Sequence, residues 1–182
     1  MKNLPSLPRS FLAASFAVLV AAAHASDSQA AAASTARATA EFVQPEKFTD
    51  FRDSVMETDK GRESLMERLS THVAKLGEQF IPAGQRLEIR FTNIDLAGDF
   101  EPWRGPDFDD IRILKDIYSP RMELDYRLVD TQTGAVIRQG SERLSNMSYL
   151  MSALPINTSE SLRHDFELLS SWMRREFRKP AK

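Results

Sequence analysis

The chain has 182 residues, 24 Lys+Arg against 26 Asp+Glu, a net charge of −2 with His neutral, and no cysteine. Near-neutral charge without a concentrated basic face argues against a nucleic-acid partner, and the lack of cysteine excludes disulfides, thiol redox chemistry and cysteine nucleophiles. Length allows one domain of ordinary size, large enough to bury a core without covalent staples.

At the N-terminus, Lys2 and Arg9 precede an apolar run from Phe11 to Ala23, and Ala23-His24-Ala25 follows the small-x-small pattern of a signal-peptidase site. The run is 13 residues long, short of the roughly 20 that a membrane-spanning helix needs. The expectation is a cleaved signal over residues 1–25, a mature start at Ser26, and a periplasmic or secreted protein. Removing residues 1–25 takes away Lys2 and Arg9 and no acid, so the mature net charge is −4. No later stretch could span a membrane, and the absence of a cysteine after the signal argues against a lipid tether.

Residues 26–40, "SDSQAAAASTARATA", carry no large apolar side chain and read as a flexible leader. Residues 41–182 read as a single α+β domain. "TAEFV" (39–43) suggests a short strand, and "QPEKFTDFRD" a loop that contributes Phe48 and Phe51 as apolar contacts. From 59 to 80, Leu65, Met66, Leu69, Val73, Leu76 and Phe80 recur at helical spacing; Thr58 or Asp59 caps the start, and "PAGQ" ends the helix. "RLEIRFT" (86–92) alternates as a half-buried strand, and the change of parity at Ile94 and Leu96 predicts a bulge near Asn93.

The segment 95–110, "DLAGDFEPWRGPDFDD", follows, with six carboxylates around Trp103 and Arg104. Beyond it, "IRILKDIY" (111–118) suggests a strand, and "RMELDYRLVD" (121–130) a stronger one. "TQTG" suggests a hairpin turn with Gly134 at positive φ, leading to a return strand over 135–144. "NMSYLMSAL" offers a turn or two of helix. Asn157 with Glu160 resembles a capping box opening a last helix through Leu162, Phe166, Leu169, Trp172, Met173 and Phe177. The elements predict an antiparallel-rich sheet of about four to five strands with two long helices packed on one face.

Few motifs carry chemistry. The carboxylates of 95–110 follow no helix-loop-helix calcium register; an acidic solvated loop, a calcium-stabilised loop and an acid/base pair are the three readings. Trp103 and Arg104, between Pro102 and Pro106, form either a stiffened binding tip or a plug, with Trp103 folded back on the core and Arg104 neutralising an aspartate. His72 lies on the apolar side of the first helix, as a hydrogen-bonded core histidine, and His164 faces away from the apolar stripe of the last. Neither makes a zinc site. The basic end, "WMRREFRKPAK", offsets the helix dipole or docks an anionic surface. Nucleophile elbow and phosphate-cradle motifs are missing, so no catalytic residue, metal or cofactor is assigned.

The stretch "GQRLEIRFTNIDLAGDFEPWRG" through "DIRILKDIYSPRMELDYRLVD", with "GSERLSNMSYL" and "LLSSWMRREF", resembles the bacterial domain-of-unknown-function family 3016 over about Phe42 to Phe177. Members look like secreted or periplasmic proteins of proteobacteria. The resemblance implies no activity, and marks Trp103, Arg104, Asp95 and Arg121 for attention. The functional expectation is a non-catalytic binding or accessory module of the cell envelope, with an unidentified envelope protein or ligand as partner. Its surface comprises Asp95, Asp99, Glu101, Trp103, Arg104, Asp109 and Arg121. The alternative is a hydrolase or carbohydrate-active enzyme using paired loop carboxylates.

Overall fold

The computed structural model describes residues 36–108, 110–151 and 160–178, all within one compact unit spanning 34–182. The signal and most of the leader, Asp109 and the Asn157 half of the expected capping box lie outside the described residues. Strand β1 (Ala38–Phe42) starts inside what reads as leader, because Ala38 to Phe42 pair parallel with Leu87 to Phe91. Small side chains allow this: Ala38 sits against helix α1 (Asp59–Phe80), where Gly77 leaves no room for a Cβ.

Helix α1 begins as expected, with the Thr58 side chain accepting a hydrogen bond from the Gly61 N–H at 3.0 Å. Its buried stripe, Leu65, Leu69, Val73 and Leu76, has the spacing that stacks side chains on one helix face. Strand β2 (Gln85–Asp95) buries Leu87, Ile89 and Phe91, then Ile94. Phe91 pairs with Leu124 and Asn93 with Glu123, so Thr92 is the extra residue of a bulge that returns Ile94 to the dry face.

Strands β3 (Asp99–Phe100) and β4 (Arg112–Ile113) form a two-residue ribbon. The strand expected over 111–118 is therefore reduced to Arg112–Ile113; a turn at Lys115–Tyr118, closed by the Tyr118 N–H on the Lys115 carbonyl, ends it. Strands β5 (Arg121–Asp130) and β6 (Val136–Ser145) make the expected hairpin, with Gly134 at φ 71°. The main sheet has four strands in the order β1-β2-β5-β6, with β1 parallel to β2 and the other pairs antiparallel. The fold is α+β with a mixed sheet.

Helix α2 (Arg163–Phe177) starts later than the capping-box reading implies, at an N-cap, Leu162, without a side-chain cap. Glu160 instead accepts from the Leu162 N–H at 3.2 Å and pairs with Arg68 of α1. One core cluster joins the α1 stripe, Leu168, Leu169, Trp172 and Met173 of α2, and Leu87, Ile89, Phe91, Met122, Leu124 and Tyr126 of the sheet. The Tyr126 ring lies beside Gly140 on β6, where an added Cβ would meet it at 3.1 Å, and packs edge-on to Trp172 and Phe177.

Candidate functional site

The acidic segment is built at the far end of β2. Residues before α1 run alongside that end: the Asp50 N–H donates to the Ile94 carbonyl at 3.1 Å, and the Leu96 N–H to the Asp50 carbonyl at 3.1 Å. Asp50 is thereby set beside Asp95. Gly98 then turns the chain at φ 80°, where a Cβ would lie 2.8 Å from the Ile113 carbonyl oxygen, so only glycine fits. Phe100, buried, carries Arg112 over its ring at 4.7 Å and Arg52 at 5.5 Å.

Arg112 is the hub. Its guanidinium grips both Asp50 carboxylate oxygens, at 2.7 and 3.2 Å, and donates to the Gly98 and Arg52 carbonyls, each at 2.8 Å. Arg52 reaches Asp50 and Asp99, both at 3.2 Å. Planar, bidentate guanidinium contacts of this kind order a loop as a unit.

Glu101, 1% exposed, closes the loop. Lys115 Nζ and Arg104 Nε both donate to it, as does the Tyr118 hydroxyl at 3.1 Å. The Lys115 contact, with those of Arg104 and Tyr118, overcomes the burial penalty and holds its carboxyl down to about 2. Burial and the Glu101 charge in turn raise the Tyr118 phenol.

Trp103 occupies a 3-10 turn over Pro102–Arg104 and stands 72% exposed, so it does not fold back as a plug. Arg104 does neutralise a neighbour, but the partner is Glu101 rather than an aspartate, and its guanidinium lies over the Phe108 ring at 5.9 Å.

The expected site residues thus divide. Asp95 and Arg121 face each other across β2 and β5 at 3.9 Å. With Asp50, Arg52 and Asp99 they line a shallow pocket of about 250 Å³. Burial, followed by the nearby Asp50 charge, raises the Asp95 carboxyl. Glu101 and Arg104 form the clasp, Trp103 projects outward, and Asp109 lies outside the described residues. Among the described residues, no group of three or more His, Asp or Glu side chains is placed to hold a metal ion.

Sequence reasoning missed Asp50, Arg52, Arg112 and Asp165. Asp165, 0% exposed, lies in the first turn of α2. Its Oδ1 accepts the Ala97 N–H at 3.1 Å, while Oδ2 is buried without a partner. Burial pushes its carboxyl up to about 7, with the Ala97 hydrogen bond and Arg112 pulling the other way. Nothing in the local pattern marks Asp165; its only signal is an acid at helical spacing from the apolar residues Leu162 and Leu169.

His72 behaves as a core histidine: its Nε2 lies 3.1 Å from both the Phe166 carbonyl and the Ser170 hydroxyl, its ring stacks on Phe166, and burial lowers its pKa. His164 is a correction. It is buried, edge-on to Tyr149 at 4.8 Å, because the turn at Tyr149–Met151 packs on this side of α2.

Among curated proteins, none matches the chain. Several solved structures share a distant likeness, among them the following three. One is the PelC dodecamer of Paraburkholderia phytofirmans, at 10% identity over 79% of this chain and 89% of that one, with a TM-score of 0.35. A second is a candidate lipoprotein of Caulobacter crescentus, at 18% over 75% and 83%, with a TM-score of 0.30. The third is protein XCC0632 of Xanthomonas campestris, assigned to family DUF330, at 11% over 76% and 77%, with a TM-score of 0.35. Likenesses this distant leave function open. The family model described as "Protein of unknown function (DUF3016)" matches residues 36–175, and the chain belongs to that family.

Proposed function

We propose that this protein is a non-catalytic binding module of the bacterial cell envelope, acting in the periplasm or outside the cell, and that Trp103 leads its contact surface. The observation that carries the reading is Trp103 itself, 72% exposed on a turn whose flanks are clamped through Glu101. A large aromatic held outward on a rigid support has little rotamer entropy to lose on binding and much apolar area to bury. Ile117, Met147, Leu150 and Met151 are exposed as well, on turns tied together by the Tyr149 hydroxyl donating to the Lys115 carbonyl at 2.7 Å.

Ion pairing of three of the loop acids supports a non-catalytic role. Asp99 is held by Arg52, Glu101 by Lys115 and Arg104, and Asp95 faces Arg121. A general acid needs a pKa brought near the working pH; within the loop Glu101 is driven the other way, whereas Asp165, pushed up to about 7, sits outside the loop on α2. The envelope location is supported by the signal-like residues 1–25.

The test is capture from an envelope fraction by the wild-type protein and by Trp103→Ala. A specific partner retained by the wild type is expected to be lost, or weakened at least about tenfold, in the variant, since truncating an interface hot spot costs about 2 kcal/mol or more. Retention by both proteins alike would remove Trp103 from the interface. N-terminal sequencing of the exported protein is expected to begin at Ser26.

A further inference from the structure

A second feature lies apart from the tryptophan tip: a cleft of about 390 Å³ beneath the acidic loop, whose lining includes Asp165 but not Trp103. Its size falls within the range of small-molecule sites, about 300 to 1,000 Å³. Leu65 of α1, Leu96, Phe100, Leu114 and Leu162 give it apolar walls.

The charged groups that line it are unequally committed. Arg112 is held by Asp50 and two carbonyls, and Arg52 is paired with Asp50 and Asp99. Glu160 is held by Arg68. What remains is acidic: Asp53 and Asp110 make no ion pair among the described residues, and Asp165 keeps one buried oxygen without a partner. Against these three acids stands Arg163, whose Nε is already turned to His164 Nε2 at 3.1 Å.

We propose that this cleft binds a small organic cation, an ammonium or guanidinium group on an apolar body, with the Asp165 carboxylate as its counter-ion. A buried carboxylate with one hydrogen bond is costly in its charged form unless a cation or further donors meet it. Among the cleft's own cations, Arg112, close enough to act on Asp165, is neutralised by Asp50. An incoming cation offsets the Asp165 charge, while the leucine and phenylalanine walls take the apolar body. An anionic ligand would meet the uncommitted acids and, among the described lining residues, no cation without an ion pair except Arg163.

The test uses three probes of equal chain length, hexylammonium, hexanoate and hexanol, titrated calorimetrically into the purified protein, with methyl NMR of the cleft leucines. Hexylammonium is expected to bind and to perturb the methyls of Leu65, Leu96, Leu114 and Leu162, while hexanoate and hexanol bind at least about tenfold more weakly. Asp165→Asn keeps an acceptor for the Ala97 N–H and is expected to lose at least about tenfold in hexylammonium affinity. Should that variant fail to fold, Ile111→Trp, at the half-exposed rim, is expected to fill the cleft and abolish binding with the melting temperature retained. The proposal is overturned if hexylammonium does not bind, if hexanoate or hexanol binds as well, or if the folded variants bind it like the wild type.

Discussion

Glu101 and Asp165 are both buried carboxylates, and their partners push them apart. Two cations and a phenol hold Glu101 in its charged form, whereas Asp165 has one backbone N–H and a free oxygen. The consequence for stability follows from linkage. A carboxylate depressed in the folded state stabilises it fully above its unfolded pKa, about 4.3 for Glu, and loses that contribution as pH falls through the folded value, about 2 here. Glu101→Gln is therefore expected to melt a few degrees below the wild type at pH 7, with the gap closing as pH is lowered from about 4.3 toward 2; melting curves at several pH values check it. An unchanged gap across that window would show that charge is not what Glu101 contributes. Of these residues, Glu101 was legible as a member of an acidic run, but its role was not. Lys115 and Tyr118 reach it only because the β3–β4 ribbon folds the chain back on itself.

At the scale of elements, the contact between α1 and β1 depends on two small residues. A Cβ built on Gly77 would come within 2.5 Å of the Ala38 Cβ and 2.6 Å of its backbone nitrogen. On propensity alone, Gly→Ala inside a helix gains about 1 kcal/mol; here overpacking opposes that gain, typically by about 1–3 kcal/mol. Gly77→Ala is expected to be destabilising on balance. Adding Ala38→Gly should recover only part of the loss, because the backbone contact persists; urea denaturation of the single and double variants measures both. The strand pattern was more transparent. Alternation in "RLEIRFT" and its slip at Ile94 reveal β2 and its bulge, because a two-residue period records which side of a sheet is dry. The short strand 38–42 was half hidden in an alanine-rich run, since its packing requires smallness rather than hydrophobicity.

Across the whole molecule, the two tryptophans occupy opposite environments. Trp172 is 1% exposed at the centre of the core, edge-on to Tyr126 and Phe177, while Trp103 is 72% exposed. Trp172→Ala is expected to cost about 3–5 kcal/mol, whereas Trp103→Ala should stay within about 0.5 kcal/mol, as for surface changes generally. Equilibrium unfolding separates the two, and a large cost at Trp103 would make it a packing residue after all. Several elements of the fold followed closely from periodicity: α1 with its Thr58 cap, β2 with its bulge, and the β5–β6 hairpin are local patterns that a chain carries in residue order. The Arg112–Asp50 grip joins residues 62 positions apart, and the Asp165 bond to Ala97 residues 68 apart. No sequence period encodes such meetings. The residues in order determined which faces are apolar and where the chain turns; only tertiary packing decided which charges are paired, which tryptophan is presented, and which carboxylate is left without a counter-ion, because burial and pairing belong to neighbours in space.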